Sequence, residues 1–411
     1  MKLAVAQLGS RMHYAVPRIL HGAGMLERLY TDICAVKGWP RLLRAVPPPL
    51  RPAGLKRLLG RIPHGIPPDR ITAFNRFGRE YSRRRRAARN PTEATAVNLW
   101  AGDRFNELVI QAGLGGVDAV YGFNSASRKL FEAAKDRGLI TIVEQTIAPR
   151  LLEDRLLAAE FADAPDWGLR ERDENTEKFA QREKEEWALA DLIVCGSEFV
   201  RDGIAEEDGP VDKCVVVPYG VDLLSFPAGD KNGSPGGGPL RVLFVGSVGV
   251  RKGIPHLLEA MRLLQSSWVR CRVVGGWGRT DPDVLHRRAP SNVELVGRVP
   301  RSEVAREYAR ADVFCLPSLC EGSATVVYEA LAAGLPVVTT PNAGSIVRDG
   351  VEGFVVPIRD PEAIADRIRR LADDRELLDD MSRAARERSS YGSVEAYGER
   401  LVDALTRLPV R

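Results

Sequence analysis

Apolar residues along this chain gather in short continuous runs, not in strict alternation with polar ones. In the first half the runs are Leu3–Gln7, Ala119–Phe123, Ile140–Glu144, Leu192–Cys195 and Cys214–Pro218. In the second half they are Val242–Gly246, Arg270–Gly275, Val293–Val296, Val313–Leu316, Val337–Thr340 and Phe354–Val356. Runs of this length, rich in Val, Ile and Leu, fit strands covered on both faces, as in parallel sheets. Helical spacing fills the gaps, for example over Lys178–Ala190, Pro255–Leu264 and Ser302–Ala309. Strand and helix in alternation predict βαβ units, hence an α/β fold. The stretch FPAGDKNGSPGGGP, Phe226–Pro239, has almost no apolar content and reads as a linker. Two Rossmann-like domains follow, over residues 1–225 and 240–390, joined by the 226–239 linker. The amphipathic pattern over Val394–Leu408 predicts a last helix within 391–411 that could cover either domain and is a candidate to pack back on the first.

A chain of 411 residues exceeds what one ordinary core holds, which agrees with two domains. The content of 44% hydrophobic and 28% charged residues is that of a soluble globular protein. No run approaches the ~20 apolar residues of a membrane span. MKLAVAQLGS reads as a first strand, its apolar part being short for a signal peptide. The expectation is a cytoplasmic protein. Six scattered cysteines fit reduced thiols, and Cys315 with Cys320 lacks the companions of a zinc site.

Net charge is only +4, but it is unevenly spread. From Lys37 to Arg89, fifteen Lys and Arg face two acids, Asp69 and Glu80. The stretch Pro40–Pro68 also breaks the βα alternation and reads as an insertion, with Leu42, Leu43, Leu55, Leu58 and Leu59 among basic residues. Interleaved Leu and Arg suit an anionic membrane surface, which would make the protein peripheral on the inner face of the plasma membrane. A soluble anionic acceptor and a plain solvated face are the other readings. Nucleic acid is disfavoured, because Phe74, Phe77 and Tyr81 share a helix face as packed residues do.

Candidate chemistry concentrates in Pro317–Pro341, PSLCEGSATVVYEALAAGLPVVTTP. A helix beginning near Ser323 would present free amides from Ser323 to Val326, with its positive dipole end favouring phosphate oxygens. Glu321 precedes that helix and Glu329 lies about two turns on, each placed to accept hydrogen bonds from a polyol. Both could equally be surface carboxylates, with Glu321 serving the helix dipole. Upstream, Gly246-Ser247-Val248-Gly249-Val250-Arg251-Lys252-Gly253 follows a strand and precedes a helix. Such a turn admits an anion, and Arg251 and Lys252 supply charge for a diphosphate.

Several motifs occur in order: Gly246 with Lys252-Gly253, Gly297-Arg298-Val299, Ala311-Asp312-Val313, Glu321-Gly322 with seven residues between the glutamates, and Gly334-x-Pro336-Val337. Ala190-Asp191, Ser197 and Pro218-Tyr219-Gly220-Val221-Asp222 extend the match upstream. Over residues 190–380 the chain resembles the retaining glycosyltransferases of family 4, whose GT-B fold sets two Rossmann-like domains across a cleft. The resemblance implies a nucleotide-sugar donor such as a UDP- or GDP-sugar, a glycan, glycolipid or lipid-linked acceptor, and no metal or other cofactor. It implies that Lys252 and Arg251 neutralise the donor diphosphate and that Glu329 binds the ribose. Glu321 would contact the transferred sugar. Gly246 and Ser247 would line the donor loop, and backbone groups around Arg298 and Val299 would read the base. Gly322 would lie beside the donor, and Ser323, Ala324 and Thr325 would offer amides to the leaving phosphate.

Two departures from the family pattern stand out. Ser247 occupies a position where the family usually has Arg, and no His follows Tyr121-Gly122-Phe123 on the acceptor side. Acceptor-side candidates are therefore Gly9, His13, Asn124 and Glu144, with His13 also readable as a surface histidine. The same departures leave open a transferase-like scaffold without activity. An epimerase or phosphorylase is a third reading.

Overall fold

The computed structural model describes residues 1–167, 170–227, 238–265, 268–278 and 280–409. Most of the expected 226–239 linker, residues 228–237, lies outside the described residues. The chain forms two α/β domains, each around a wholly parallel sheet, in the GT-B arrangement of paired Rossmann-like domains. The first sheet contains β1 (Leu3–Gln7), β2 (Leu26–Thr31), β3 (Ile71–Ala73), β4 (Ala119–Phe123), β5 (Ile140–Gln145), β6 (Leu192–Cys195) and β7 (Cys214–Val216). The second contains β8 (Leu240–Val245), β9 (Val269–Val274), β10 (Val293–Gly297), β11 (Val313–Leu316), β12 (Val337–Thr339) and β13 (Gly353–Val355).

Strand order is β3-β2-β1-β4-β5-β6-β7 in the first sheet and β10-β9-β8-β11-β12-β13 in the second. Each order reverses once, between β1 and β4 and between β8 and β11. At such a switch point the loops leaving two adjacent strands diverge to opposite faces and open a crevice beyond their carboxyl ends. The loops at the two crevices are Gly9–Tyr14 and Asn124–Ser127 in the first domain, and Gly246–Gly253 and Pro317–Ala324 in the second. Every residue of β1, β4 and β11 is buried, as continuous apolar runs require.

The apolar runs did not predict β2 or β3. Glu27 and Arg28 interrupt β2, where both are half-buried, and β3 is a three-residue edge strand.

The halves are stitched together at several points. The last helix, Val394–Thr406, lies against Ala15–Gly22 of the first domain, with Gly398 on Ile19. Val221 pairs with the backbone just before that helix, at 2.9 Å to the Gly392 carbonyl. A buried clasp sits elsewhere in the interface. Glu160 of helix Arg150–Asp163 meets His256 at 2.9 Å and Arg359 at 3.0 Å, both from the second domain.

Candidate active site

The donor-side residues predicted from sequence converge at the β8/β11 switch point. Lys252 Nζ lies 2.7 Å from Glu321 Oε1, and Arg251 Nη1 lies 2.8 Å from the same oxygen. Arg251 also donates to the Cys320 carbonyl at 2.8 Å and approaches Glu153 of the first domain at 3.9 Å. Arg251 and Lys252 end a short 3-10 turn, and Gly253 then takes a left-handed conformation (φ 71°). A β-carbon at Gly253 would lie 1.8 Å from the Pro317 carbonyl oxygen, so glycine lets the cationic turn close on the loop carrying Glu321. Burial lowers the Lys252 pKa, with Glu321 opposing the shift.

The sequence reading assigned separate ligands to the cations and to Glu321. Here they satisfy one another. A shielded carboxylate between two cations is a stable arrangement.

The helix after Glu321 runs Thr325–Ala332, two residues later than expected. Ala324 is extended, and its amide donates to the Ala343 carbonyl at 3.1 Å. Its N–H is thus taken and does not join those offered to a phosphate. Ser323 is buried, with its hydroxyl 2.6 Å from the Tyr328 hydroxyl. Glu329 accepts from the Tyr308 hydroxyl at 2.9 Å. Burial raises its pKa, while Tyr308 and the charge of Arg301 act the other way.

Gly322 is a point of domain contact. A β-carbon there would meet the Thr146 carbonyl oxygen at 2.0 Å, and its own carbonyl accepts from Ser197 Oγ at 2.5 Å. The loop after β5 therefore rests directly beside Glu321. Gly246 (φ 156°), Ser247, Arg298 and Val299 line a hollow of about 280 Å3 with Val245, Val274, Gly275, Gly276 and Val304. Arg298 packs over Gly276, where a β-carbon would come within 2.8 Å of its guanidinium. Arg298 thus brings a cation to the hollow that Ser247 also lines.

On the acceptor side the structure changes the picture. Glu144 is fully buried, with Oε2 accepting from Tyr121 at 2.6 Å and Oε1 from Tyr219 at 2.7 Å. Burial raises its pKa against those two donors. Its oxygens are engaged inside the domain, which removes it as a group open to the cleft. Asn124 is likewise committed, donating to Glu183 at 3.0 Å and accepting from Thr146 Oγ1 at 2.7 Å. Gly9 (φ 90°) gives its amide to Asp32 at 3.0 Å.

His13 is exposed, but its Nε2 lies 2.5 Å from Arg301 Nη1 in the opposite domain. Met12, His13 and Tyr14 all take left-handed conformations, at φ 44°, 51° and 61°. Such a run is costly for non-glycine residues and needs support from its surroundings. Partial burial first, then Arg301 and Arg18, lowers the His13 pKa from 6.5.

Sequence reasoning passed over Glu183 and Glu186 on helix Thr176–Leu189. Glu183 accepts from Asn124, Gln145 and the Arg150 amide at 3.0, 2.8 and 2.8 Å. Glu186 accepts from the amides of Ser125, Ser127 and Arg128 at 2.6, 2.7 and 3.1 Å. Burial pushes its pKa up to about 8 against those donors. The available signal was two acids three apart beside Trp187, the pattern of one helix face turned inward.

Solved structures share this architecture over the whole chain. Sucrose-phosphate synthase from Thermosynechococcus elongatus superimposes with a TM-score of 0.65 at 18% identity, covering 99% of this chain and 98% of that one. HepE of Anabaena in complex with UDP gives 0.62 at 15% identity, covering 99% and 100%. Similarity in sequence is more local. The putative colanic acid biosynthesis glycosyltransferase WcaL of Salmonella typhimurium is 31% identical over 193 residues, 44% of this chain and 47% of that protein. The chain spans about half or less of the curated relatives it matches. Residues 230–388 match the family model described as glycosyl transferases group 1, the portion that carries Arg251, Lys252, Glu321 and Glu329.

Proposed function

We propose that the protein is a retaining glycosyltransferase of family 4. It moves a sugar from a nucleoside-diphosphate donor to a glycan, glycolipid or lipid-linked acceptor. The observation that carries this reading is the Lys252–Glu321–Arg251 cluster at the β8/β11 crevice, inside the segment that matches group 1 glycosyl transferases. One curated relative is named a putative colanic acid biosynthesis glycosyltransferase and the Anabaena neighbour was solved in complex with UDP, which supports a nucleotide-sugar donor and a polysaccharide pathway.

In this mechanism the diphosphate takes over Lys252 and Arg251, displacing Glu321 toward the transferred sugar. The amide of Thr325 at the helix start meets the leaving phosphate. Two cations and a helix terminus carry the charge that grows on the leaving group, so no bound metal is needed. Glu329 takes the ribose, and the Arg298–Val299 hollow takes the base. Closing the cleft keeps water from the donor.

Thermal-shift titration with UDP-, GDP- and ADP-sugars, followed by transfer assays with EDTA present, tests the proposal. Stabilisation by one donor class is expected, and transfer that survives EDTA. Wild-type transfer rates in Lys252→Ala and Glu321→Ala would overturn it.

A further inference from the structure

The crossover from β2 to β3, residues 32–70, leaves the sheet edge and returns without building a core of its own. None of residues 41–58 is buried. Leu42 and Leu50 are 76% and 72% exposed, and Trp39 is 39% exposed. Pro47, Pro48 and Pro49 hold the backbone extended and then turned between helices Trp39–Leu42 and Ala53–Leu59. Large apolar side chains presented this way are unusual on a soluble surface.

The helix that follows β3, Asn75–Ala87, adds charge beside them. Arg76, Arg79, Arg83 and Arg86 recur at spacings of three and four, which sets them along one face. All four are exposed, and none has a carboxylate within ion-pair distance among the described residues. Like charges so spaced oppose helix formation, so the stripe serves something other than the fold. The opposite face is packed: Phe77 stacks on Tyr81 and lies against Trp100. Asn75 Nδ2 donates to the Lys37 carbonyl at 2.9 Å, which anchors the start of this helix two residues before Trp39.

We propose that this edge of the first domain docks on an anionic lipid bilayer, with Leu42, Leu50 and Trp39 entering the headgroup region and the arginine face on lipid phosphates. Charge complementarity selects an anionic surface, and the exposed leucines select a bilayer over a polyanion in solution. Single-stranded nucleic acid draws on aromatic rings to stack on, and Phe77 and Tyr81 are turned inward. The docking face does not depend on the transferase reading.

Sedimentation of the full chain with vesicles tests it. One set contains phosphatidylglycerol in phosphatidylcholine, and the other is phosphatidylcholine alone, each at low and high salt. Binding to the anionic vesicles only, weakened by salt, is expected. Replacing the four arginines together (Arg76→Gln, Arg79→Gln, Arg83→Gln, Arg86→Gln) should lower partitioning by about a hundredfold and flatten the salt dependence. Leu42→Ser with Leu50→Ser should lower it about tenfold at either salt. Both variants should keep the parent melting temperature and the parent stabilisation by nucleotides, so failure here leaves the donor-site reading standing. Equal binding to neutral vesicles, no binding, or parent-like partitioning of both variants would overturn the proposal. Tighter binding of a short single-stranded oligonucleotide than of the anionic vesicles, at equal phosphate and salt, would also overturn it.

Discussion

Two sets of interior carboxylates, one in each domain, are held by opposite means. In the second domain Glu321 is matched by two cations, Lys252 and Arg251. In the first domain Glu144, Glu183 and Glu186 are matched mainly by neutral donors: tyrosine hydroxyls, side-chain amides and backbone N–H groups. The consequence is functional. A cation can trade one anion for another of similar charge, so the Glu321 cluster could exchange its carboxylate for the diphosphate of the proposed donor. Neutral donors fixed by the fold gain nothing from such an exchange, and their carboxylates serve as internal supports. One domain offers replaceable charge and the other a preformed frame.

Substitutions on the two sides should therefore fail in different ways. Lys252→Ala should lower transfer about a hundredfold to a thousandfold, the usual range for removing one group that stabilises leaving-group charge. It should also abolish stabilisation by nucleoside diphosphates while moving the melting temperature little, because Arg251 still covers Glu321. Glu183→Ala should do the reverse. Three donors lose their acceptor inside the first domain, which costs about 2–4 kcal/mol of stability. Nucleotide affinity, measured by calorimetry below the melting range, should stay within about twofold. A loss of nucleotide affinity in Glu183→Ala equal to that in Lys252→Ala would collapse the distinction.

How far this contrast was legible in the sequence differs by domain, for a physical reason. Strands such as Leu3–Gln7, Leu192–Cys195 and Val313–Leu316 were readable to the residue, since near-complete burial favours a continuous apolar run. Lys252, Arg251 and Glu321 could be singled out because their loops follow strands directly. That they neutralise one another, about seventy positions apart, is a fact of tertiary packing with no local mark. Glu183 and Glu186 lie in REKEEWALA, which reads as a solvated charged helix face until the amides of Ser125–Arg128 are brought to it. The helix start after Glu321 moved from Ser323 to Thr325 because the Ala324 amide is spent on Ala343, a residue from another loop. β2 escaped notice because Glu27 and Arg28 tolerate a half-buried position next to the sheet edge.

A smaller effect should come from Glu329, whose partner is a neutral donor although it lies on the donor side. Its raised pKa means the folded protein binds a proton there more readily than the unfolded chain does. Its contribution to stability is thus full below about pH 4.5 and fades as pH rises through the higher folded value. Ribose hydroxyls need the ionised form, so nucleotide affinity should rise with pH across that same window. A dideoxynucleoside diphosphate lacks those hydroxyls and separates this effect from titration of the phosphates. The ribose form should bind about tenfold better than the dideoxy form once Glu329 is ionised, and the gap should close at lower pH. A gap that does not change with pH, or one that survives Glu329→Gln, would remove Glu329 from the ribose site.

The smallest effect should be at His13, where the two domains meet across the cleft and a neutral acceptor faces a cation. With the pKa lowered by partial burial and by Arg301, the imidazole is neutral above pH 6.5 and can accept from Arg301 Nη1. The folded protein binds this proton less readily than a free histidine does. Whatever the contact adds is therefore full above pH 6.5 and fades as pH falls through the lowered value. The ring is exposed and salt screens it, so the contribution is small. His13→Ala should raise the acceptor KM by about threefold and leave kcat nearly unchanged, as expected for loosening a loop that only positions substrate. His13→Gln keeps an acceptor at this place and should recover most of the loss. In the parent protein, acidification through that lowered value should reproduce the alanine phenotype, whereas Arg301→Gln should blunt that pH response. If His13→Ala instead lowers kcat by orders of magnitude, the histidine takes part in the chemistry, and the first domain supplies more than a frame.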